Sequence, residues 1–465
     1  MLLKMINNKC NIERDLDVRY NSYPITPFWN NTDKQSSLNE WKYNLSRTYS
    51  QISNESGISL YIHLPFCSSL CSFCSYNPYI SKQNNKENKY IDYLIKEWYL
   101  YLKLFASKPH VKQLYLGGGT PTFFSAEDLK LLMSNILSTI TIDENSIFEF
   151  EAHVNNTTTE HLIELNKLGF KNINIGIQDF DPTVQKTINR IHSFEAIEKI
   201  TKNARYIGYK NITYDMIYGL PFQSRKTAIN NIYKIRELKP DRIRFSEYNH
   251  CPDKNAAQKK YQDHLPIELE KNAFLTISKE MLNDSGYYNI GMNNFVQKTN
   301  SLYFALKNKS LHRNVMGYTT QNTKLTIGLG ASAFSDSWHA TVQNERSLKL
   351  YYKDIEQKRL PIANGSFLNK EDHILRSHIL NLQCRYETRW ENKTPSYNVL
   401  KKNFAQLEEY EKAKLIKISK NSIRIKKSGR QYIRDICTLL DSRKIDIKNL
   451  PFINPVNEVV FGVKM

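Results

Sequence analysis

Tyr61-Ile-His-Leu-Pro-Phe-Cys67-Ser-Ser-Leu-Cys71-Ser-Phe-Cys74 decides how this chain is read. An apolar, β-rich run over residues 59–66 ends in three cysteines with the spacing C-x3-C-x2-C. Three thiolates leave one iron of a four-iron–four-sulfur cubane without a protein ligand, so that iron is open to a small chelating molecule. Structural zinc takes four closed ligands, typically in C-x2-C pairs, and no second pair lies near. Cys10, Cys251, Cys384 and Cys437 stand isolated. The pattern therefore favours a [4Fe-4S] cluster over zinc, and its open position favours chemistry over electron storage.

The chain has 465 residues, enough for two or three domains and a sizeable core. Seven cysteines over that length argue for a reducing compartment rather than for disulfides. The opening Met1-Leu-Leu-Lys-Met-Ile-Asn-Asn is too short an apolar run to be a signal or anchor. No stretch approaches the roughly 18 apolar residues of a membrane span, so a soluble, cytoplasmic protein is expected. The net charge of +19 would attract polyanions, including a polycarboxylate substrate. A Lys- and Asn-rich composition spread over solvated faces accounts for the same surplus. The densest basic stretch, Lys412 to Arg434, alternates with apolar residues and reads as folded structure.

Apolar strands alternate with helical segments outward from the cysteines. Strands are expected at 59–66, 112–116, 147–154, 172–178, 212–219 and 242–249. Helices fall at 89–104, on the apolar set Leu129, Leu132, Met133, Ile136, Leu137 and Ile140, and at 160–168, 194–207 and 227–238. Repeated β-α units imply a parallel sheet with right-handed crossovers. Six of them predict an α/β fold, an incomplete (β/α)6 barrel over residues 57–255, with active groups at the C-terminal strand ends. The cysteines, Gly117-Gly-Gly-Thr-Pro-Thr122, Glu151, Gln178 and Asp215 all fall near such ends. Residues 1–56 are polar with no strong period and read as an N-terminal extension. Residues 256–365 read as a barrel-flanking α/β segment, with a helix at 269–282. Residues 366–465 read as a helical domain with helices at 371–382, 399–411 and 428–440. Its two short strands, 415–419 and 422–425, meet at Lys420-Asn421 and give it a winged-helix look.

Those motifs together resemble the radical S-adenosylmethionine (SAM) superfamily and, more narrowly, the oxygen-independent coproporphyrinogen III dehydrogenases. The resemblance runs through Arg19-Tyr-Asn-Ser-Tyr-Pro24, the cysteine and glycine runs, Gln178-Asp-Phe-Asp-Pro182, Val184-Gln185 and Asn189-Arg190. It continues through Asp215-Met-Ile-Tyr-Gly-Leu-Pro221, Pro240-Asp-Arg242, Leu311-His-Arg-Asn314 and Gly317-Tyr-Thr-Thr-Gln321. It implies a [4Fe-4S] cluster on Cys67, Cys71 and Cys74 that reductively cleaves SAM. Two SAM molecules are expected, as is a tetrapyrrole substrate with carboxylates. A flavodoxin- or ferredoxin-type protein is expected as electron donor, and the chain is expected to be a monomer with no membrane or nucleic-acid partner.

Glycines let backbone approach the cofactor without a Cβ, which assigns Gly118 and Gly119 to it, and the resembling motif adds Thr120. The resemblance places Arg190 on the methionyl carboxylate, as a guanidinium fork suits it. It places Glu151, Gln178 and Asp215 on the ribose hydroxyls. Tyr61 and His63, two apart on one strand, share a face, and the resemblance puts them beside the cofactor and the reacting centre. The implied reaction is oxidative decarboxylation of propionate side chains, as in coproporphyrinogen III. The chain departs from the family pattern at four places. Tyr76 stands at the fourth cysteine, and Glu151-Ala-His-Val154 replaces Glu-Val-Asp-Pro. Gly291-Met-Asn-Asn-Phe295 replaces Gly-Met-Asp-His-Phe, and Met316 stands at a glutamine. These departures keep two alternatives open: a radical SAM C-methyltransferase or cyclopropanase, and a non-enzymatic heme-handling protein.

Overall fold

The computed structural model describes Tyr23 and residues 34–52, 56–74, 78–81, 85–253, 255–391 and 394–441. Cys10, Tyr76, the rest of the 19–24 motif and residues 442–465 lie outside them.

Six strands carry the first half of the fold: β1 (Ile58–Leu64), β2 (Val111–Gly118), β3 (Ile147–Ala152), β4 (Asn172–Gln178), β5 (Asn211–Tyr218) and β6 (Arg242–Glu247). They pair side by side in chain order, every pair parallel. Crossover helices return the chain each time, among them Asn85–Leu102, Ala126–Leu137, Thr159–Lys167, Phe194–Ile207 and Arg225–Leu238. Local chemistry sets their ends. Ser125 and Ser193 accept N–H groups of the first turns of their helices, and Gly208 closes Phe194–Ile207 in the left-handed conformation (φ 102°). This is the α/β partial barrel that the sequence predicts.

The sheet is larger than six strands. Beyond β6 it adds β7 (Tyr287–Gly291) and β8 (Asn294–Gln297), an antiparallel hairpin whose β8 pairs with β6. On the other edge β9 (Thr326–Leu329) runs parallel to β1, followed antiparallel by β10 (Phe334–Asp336), β11 (Ala340–Asn344) and β12 (Ile362–Phe367). The order is β12-β11-β10-β9-β1-β2-β3-β4-β5-β6-β8-β7, twelve strands among the described residues. The added strands are short and rich in Asn, Gly, Thr and Ser, which hides them from an apolar-run reading.

Three further expectations are corrected. Residues 34–51 form an 18-residue helix whose buried Leu38, Trp41 and Leu45 pack with the sheet's core; three apolar residues at helical spacing are a faint signal in a polar stretch. The helix expected at 399–411 is two, Pro395–Lys401 and Phe404–Lys412. They break at Asn403, whose side-chain amide donates to the Leu440 carbonyl at 3.0 Å. The helix expected at 428–440 opens as a 3-10 turn over Lys427–Tyr432 and is α-helical only from Ile433 to Leu440. The two C-terminal strands form as expected and gain a third, Glu387–Arg389. Residues of this region share a second apolar cluster with Ile290, Val296, Leu311 and Tyr318. No helix among the described residues is long and apolar enough to cross a membrane.

A buried carboxylate locks the antiparallel edge onto the barrel. Glu97, fully buried, accepts the Gly330 N–H, the Asn344 side-chain amide and the Tyr351 hydroxyl, each at 2.7 Å. Burial pushes its pKa up to about 7 against the pull of those donors. Beside it, Tyr90 donates to the His63 carbonyl at 2.8 Å and accepts the Ala331 N–H at 2.9 Å. Glu97→Ala would leave three buried donors without an acceptor, each unmet donor costing about 1–3 kcal/mol. Denaturant unfolding of the apo-protein should show a loss of at least ~3 kcal/mol; an unchanged midpoint would contradict this role.

Candidate functional site

The cysteine loop leaves the C-terminal end of β1, where Phe66–Cys67 pairs with Tyr79–Ile80. It has little regular structure of its own, so its polar backbone groups find partners elsewhere. The Ser72 N–H donates to the Ile188 carbonyl at 2.9 Å, and Asn189 donates to the Leu70 carbonyl at 2.8 Å. Asn255 donates to the carbonyls of Ser72 (2.9 Å) and Cys74 (3.2 Å), and Tyr261 to that of Ser72 (3.1 Å). The thiols of Cys67, Cys71 and Cys74 are half-buried.

The glycine run meets this loop backbone to backbone. The Gly119 N–H donates to the Leu64 carbonyl and the Thr120 N–H to that of Phe66. A Cβ on Gly119 would stand 2.7 Å from the Pro65 oxygen and 2.9 Å from Cys67 Sγ, and one on Gly118 (φ 121°) 2.9 Å from Leu64 backbone. The Thr120 hydroxyl lies 3.5 Å from Cys67 Sγ. Burial pushes the Cys67 thiol up, and that hydroxyl opposes the rise. Arg190 joins from the segment after β4. One guanidinium nitrogen donates to the Gly176 carbonyl at 2.7 Å, another points at Cys71 Sγ at 3.8 Å, and its Nε is buried with no partner.

The inner face of the barrel carries the remaining polar groups. Tyr61 and His63 do share a face, with the Tyr61 hydroxyl 2.8 Å from His63 Nδ1; burial pushes His63 down to about 4, so its ring is neutral at pH 7. Glu151, at the end of β3, accepts the Tyr115 hydroxyl at 2.8 Å and the Gly118 N–H at 3.2 Å. Burial pushes its carboxyl up to about 7, opposed by Tyr115 and Arg244. Asp215 accepts both prongs of the Arg244 guanidinium. Gln178 breaks the β4–β5 register in the left-handed region (φ 72°), which aims a non-glycine side chain out of the regular sheet. His153 and His192 sit near Arg190, and burial, aided by that guanidinium, lowers their pKa values to about 2 and about 4.

The structure thus gathers the predicted residues at adjacent strand ends: Cys67 by Gly119 and Thr120, Cys71 by Arg190, Glu151 by Gly118. Asp215 alone is already closed in a bidentate ion pair. Sequence reasoning missed Tyr115, Asn174 and Arg244. Their signal is polar residues at alternate positions in buried strands, as in Glu149/Glu151, Asn172/Asn174 and Arg242/Arg244. Asn293 lies in the β7–β8 turn at positive φ (56°), and Asn294 accepts from Arg242 at 2.8 Å.

Among the described residues, no three His, Cys, Asp or Glu side chains converge on a single metal ion. A cubane takes each thiolate on a different iron, so its ligands stand apart. Three half-buried thiols in one loop, with a threonine hydroxyl and a guanidinium facing two of the sulfurs, suit such a cluster. The glycine cradle and the unpartnered Arg190 Nε suit a close, anionic ligand beside it.

The Radical SAM superfamily model matches residues 61–231. The oxygen-independent coproporphyrinogen III oxidase of Helicobacter pylori is 32% identical over 432 residues, 91% of this chain and 93% of the relative. The Escherichia coli enzyme of that description is 33% identical over 396 residues, 83% and 86% of the two chains. The solved structure of coproporphyrinogen III oxidase from Escherichia coli, a radical SAM enzyme, superposes with a TM-score of 0.86 at 30% identity and covers 91% of this chain and 97% of its own. The chain belongs to the radical SAM superfamily. Within it, its relatives are oxygen-independent coproporphyrinogen III oxidases, and membership implies a [4Fe-4S] cluster and SAM.

Two substitutions check the cluster site. Cys71→Ala should remove most of the iron and the brown absorbance from anaerobically reconstituted protein. Gly119→Ala should do so with all three thiols in place, because its Cβ meets backbone and Cys67 Sγ below 3.0 Å. Full iron content in Cys71→Ala would refute the assignment.

Proposed function

We propose that this protein is a radical SAM oxidase that decarboxylates the propionate side chains of a tetrapyrrole, converting coproporphyrinogen III to protoporphyrinogen IX. The observation that carries the reading is a 32%-identical relationship to oxidases of that description over 91% of the chain, well beyond the cluster motif. The surplus of +19 suits a substrate with four carboxylates.

SAM held at a reduced [4Fe-4S] cluster supplies a radical able to take a hydrogen atom from an unactivated carbon. The chain's own residues prepare that event. Cys67, Cys71 and Cys74 hold the cluster, and Gly118, Gly119 and Thr120 let SAM lie against backbone. Arg190, whose Nε has no protein partner, takes the methionyl carboxylate. Glu151, Gln178 and Asp215 face the ribose hydroxyls, Asp215 while held by Arg244. Tyr61 and neutral His63 form a donor–acceptor pair that touches the ligand without adding charge. These groups spread from β1 to β5, and two SAM molecules are proposed to bind. A flavodoxin- or ferredoxin-type carrier supplies the electron.

Arg190→Ala should weaken SAM binding about tenfold to a hundredfold, the value of one charged hydrogen bond, with iron content unchanged. An unaltered dissociation constant would refute its role.

The reaction is tested by anaerobic incubation of the reconstituted enzyme with SAM, a reductant and coproporphyrinogen III, followed by mass analysis. The expected products are 5′-deoxyadenosine and a porphyrinogen lacking two carboxyl groups. S-Adenosylhomocysteine and a heavier, methylated product would overturn the reading in favour of methyl transfer.

A further inference from the structure

Two inner-face residues have no part in the proposed function: Tyr115 and Asn174. Tyr115 stands in register between Tyr61 on β1 and Glu149 on β3, and its ring lies 6.0 Å from that of Tyr61. Its hydroxyl oxygen accepts the Asn174 side-chain amide at 2.9 Å. A hydroxyl has one hydrogen to give. With Asn174 filling an acceptor position, that hydrogen goes to Glu151, 2.8 Å away. Asn174 also donates to Glu149, so the amide is held at both ends and the hydroxyl cannot turn away. The second Glu151 oxygen takes the Gly118 N–H. Each carboxylate oxygen thus takes one bond and keeps further acceptor capacity.

We propose that Tyr115 is a positioning residue for Glu151: its hydroxyl, fixed by Asn174, orients the carboxylate and holds it as the anion that accepts the hydroxyls of a ribose-bearing ligand. The inference rests on the reading that Glu151 faces the adenosyl ligand.

The electrostatic balance makes one hydrogen bond decisive. The charged and titratable groups around Glu151 include Tyr115 on β2, Glu149 on β3, Asp215 on β5, Arg244 on β6 and the Cys67 thiol beyond β1. Burial raises the carboxyl to about 7 and Asp215 adds to the rise, while Tyr115, Arg244 and the Gly118 N–H pull it back. A carboxyl raised in this way is an anion only above that point. Removing a donor to the anion raises it further, so affinity for a diol should begin to fail at higher pH.

The test is calorimetric binding of S-adenosylhomocysteine, with no turnover, to cluster-reconstituted protein from about pH 6 to about pH 9. Wild type should lose affinity as pH falls through about 7. Tyr115→Phe should bind about tenfold more weakly at neutral pH, recover most of that at the alkaline end, and show a midpoint moved upward. Glu151→Gln should be weak with a flat profile, and adding Tyr115→Phe to it should cost nothing more. Asn174→Ala, which frees the hydroxyl without removing it, should move the midpoint in the same direction by less. Wild-type binding with a Tyr115→Phe profile identical to it, or lowered equally at both ends of the range, overturns the inference alone. Losses that add in the double variant do the same. Absence of S-adenosylhomocysteine binding by wild type at every pH overturns the functional reading as well.

Discussion

A parallel sheet covered on both faces is normally built from unbroken apolar strands, and this one is not. Each of its central strands places polar side chains at every second position, and the register brings those positions together across strands. Glu151 stands opposite Asn174, Asn174 opposite Thr213, and Asp215 opposite Arg244. Buried charge is tolerated only where it is paired and hydrogen-bonded. The Arg244–Asp215 fork and the Tyr115–Glu151 bond meet that condition. They leave a polar inner wall inside an apolar shell, and the cysteine loop sits at the C-terminal end of β1 beside it.

The loop itself is positioned from outside. Backbone carbonyls of Leu70, Ser72 and Cys74 are met by Asn189, Asn255 and Tyr261, residues more than a hundred positions later in the chain. The glycine run presses on it from β2, close enough that a methyl group would collide with Cys67 Sγ. A stretch with little regular structure is thereby held by hydrogen bonds from one side and by the glycine-run backbone from the other.

Much of this was legible in the chain. The six parallel strands, their crossover helices and the cluster motif follow from apolar runs, helical spacing and cysteine spacing. Strands β7 to β12 were not, because short segments such as Ala340–Asn344 alternate too weakly and owe their place to neighbours already in the sheet. The helix at Lys34–Gln51 was hidden by a mean composition that outweighed three apolar residues at the right spacing. At the site, groups that carry motif glycines or sit at strand ends were found. Tyr115 and Arg244 escaped because in a fully buried strand the difference between inner and outer face cannot be seen in hydrophobicity alone. That Asp215 would be met by an arginine one strand away could be known only from the register.

The Tyr90 hydroxyl bridges the carbonyl of His63, four residues before the first thiol, to the N–H of Ala331, while Glu97 holds the neighbouring Gly330 and Asn344. The backbone that enters the cysteine loop and the antiparallel edge of the sheet therefore share one set of buried bonds. In a molecule this size, regions usually open in separate cooperative units, with functional loops among the least stable. Here the loop's anchor shares its buried bonds with β9 to β12, so an opening of the sheet's far edge releases the entrance to the cysteine loop with it.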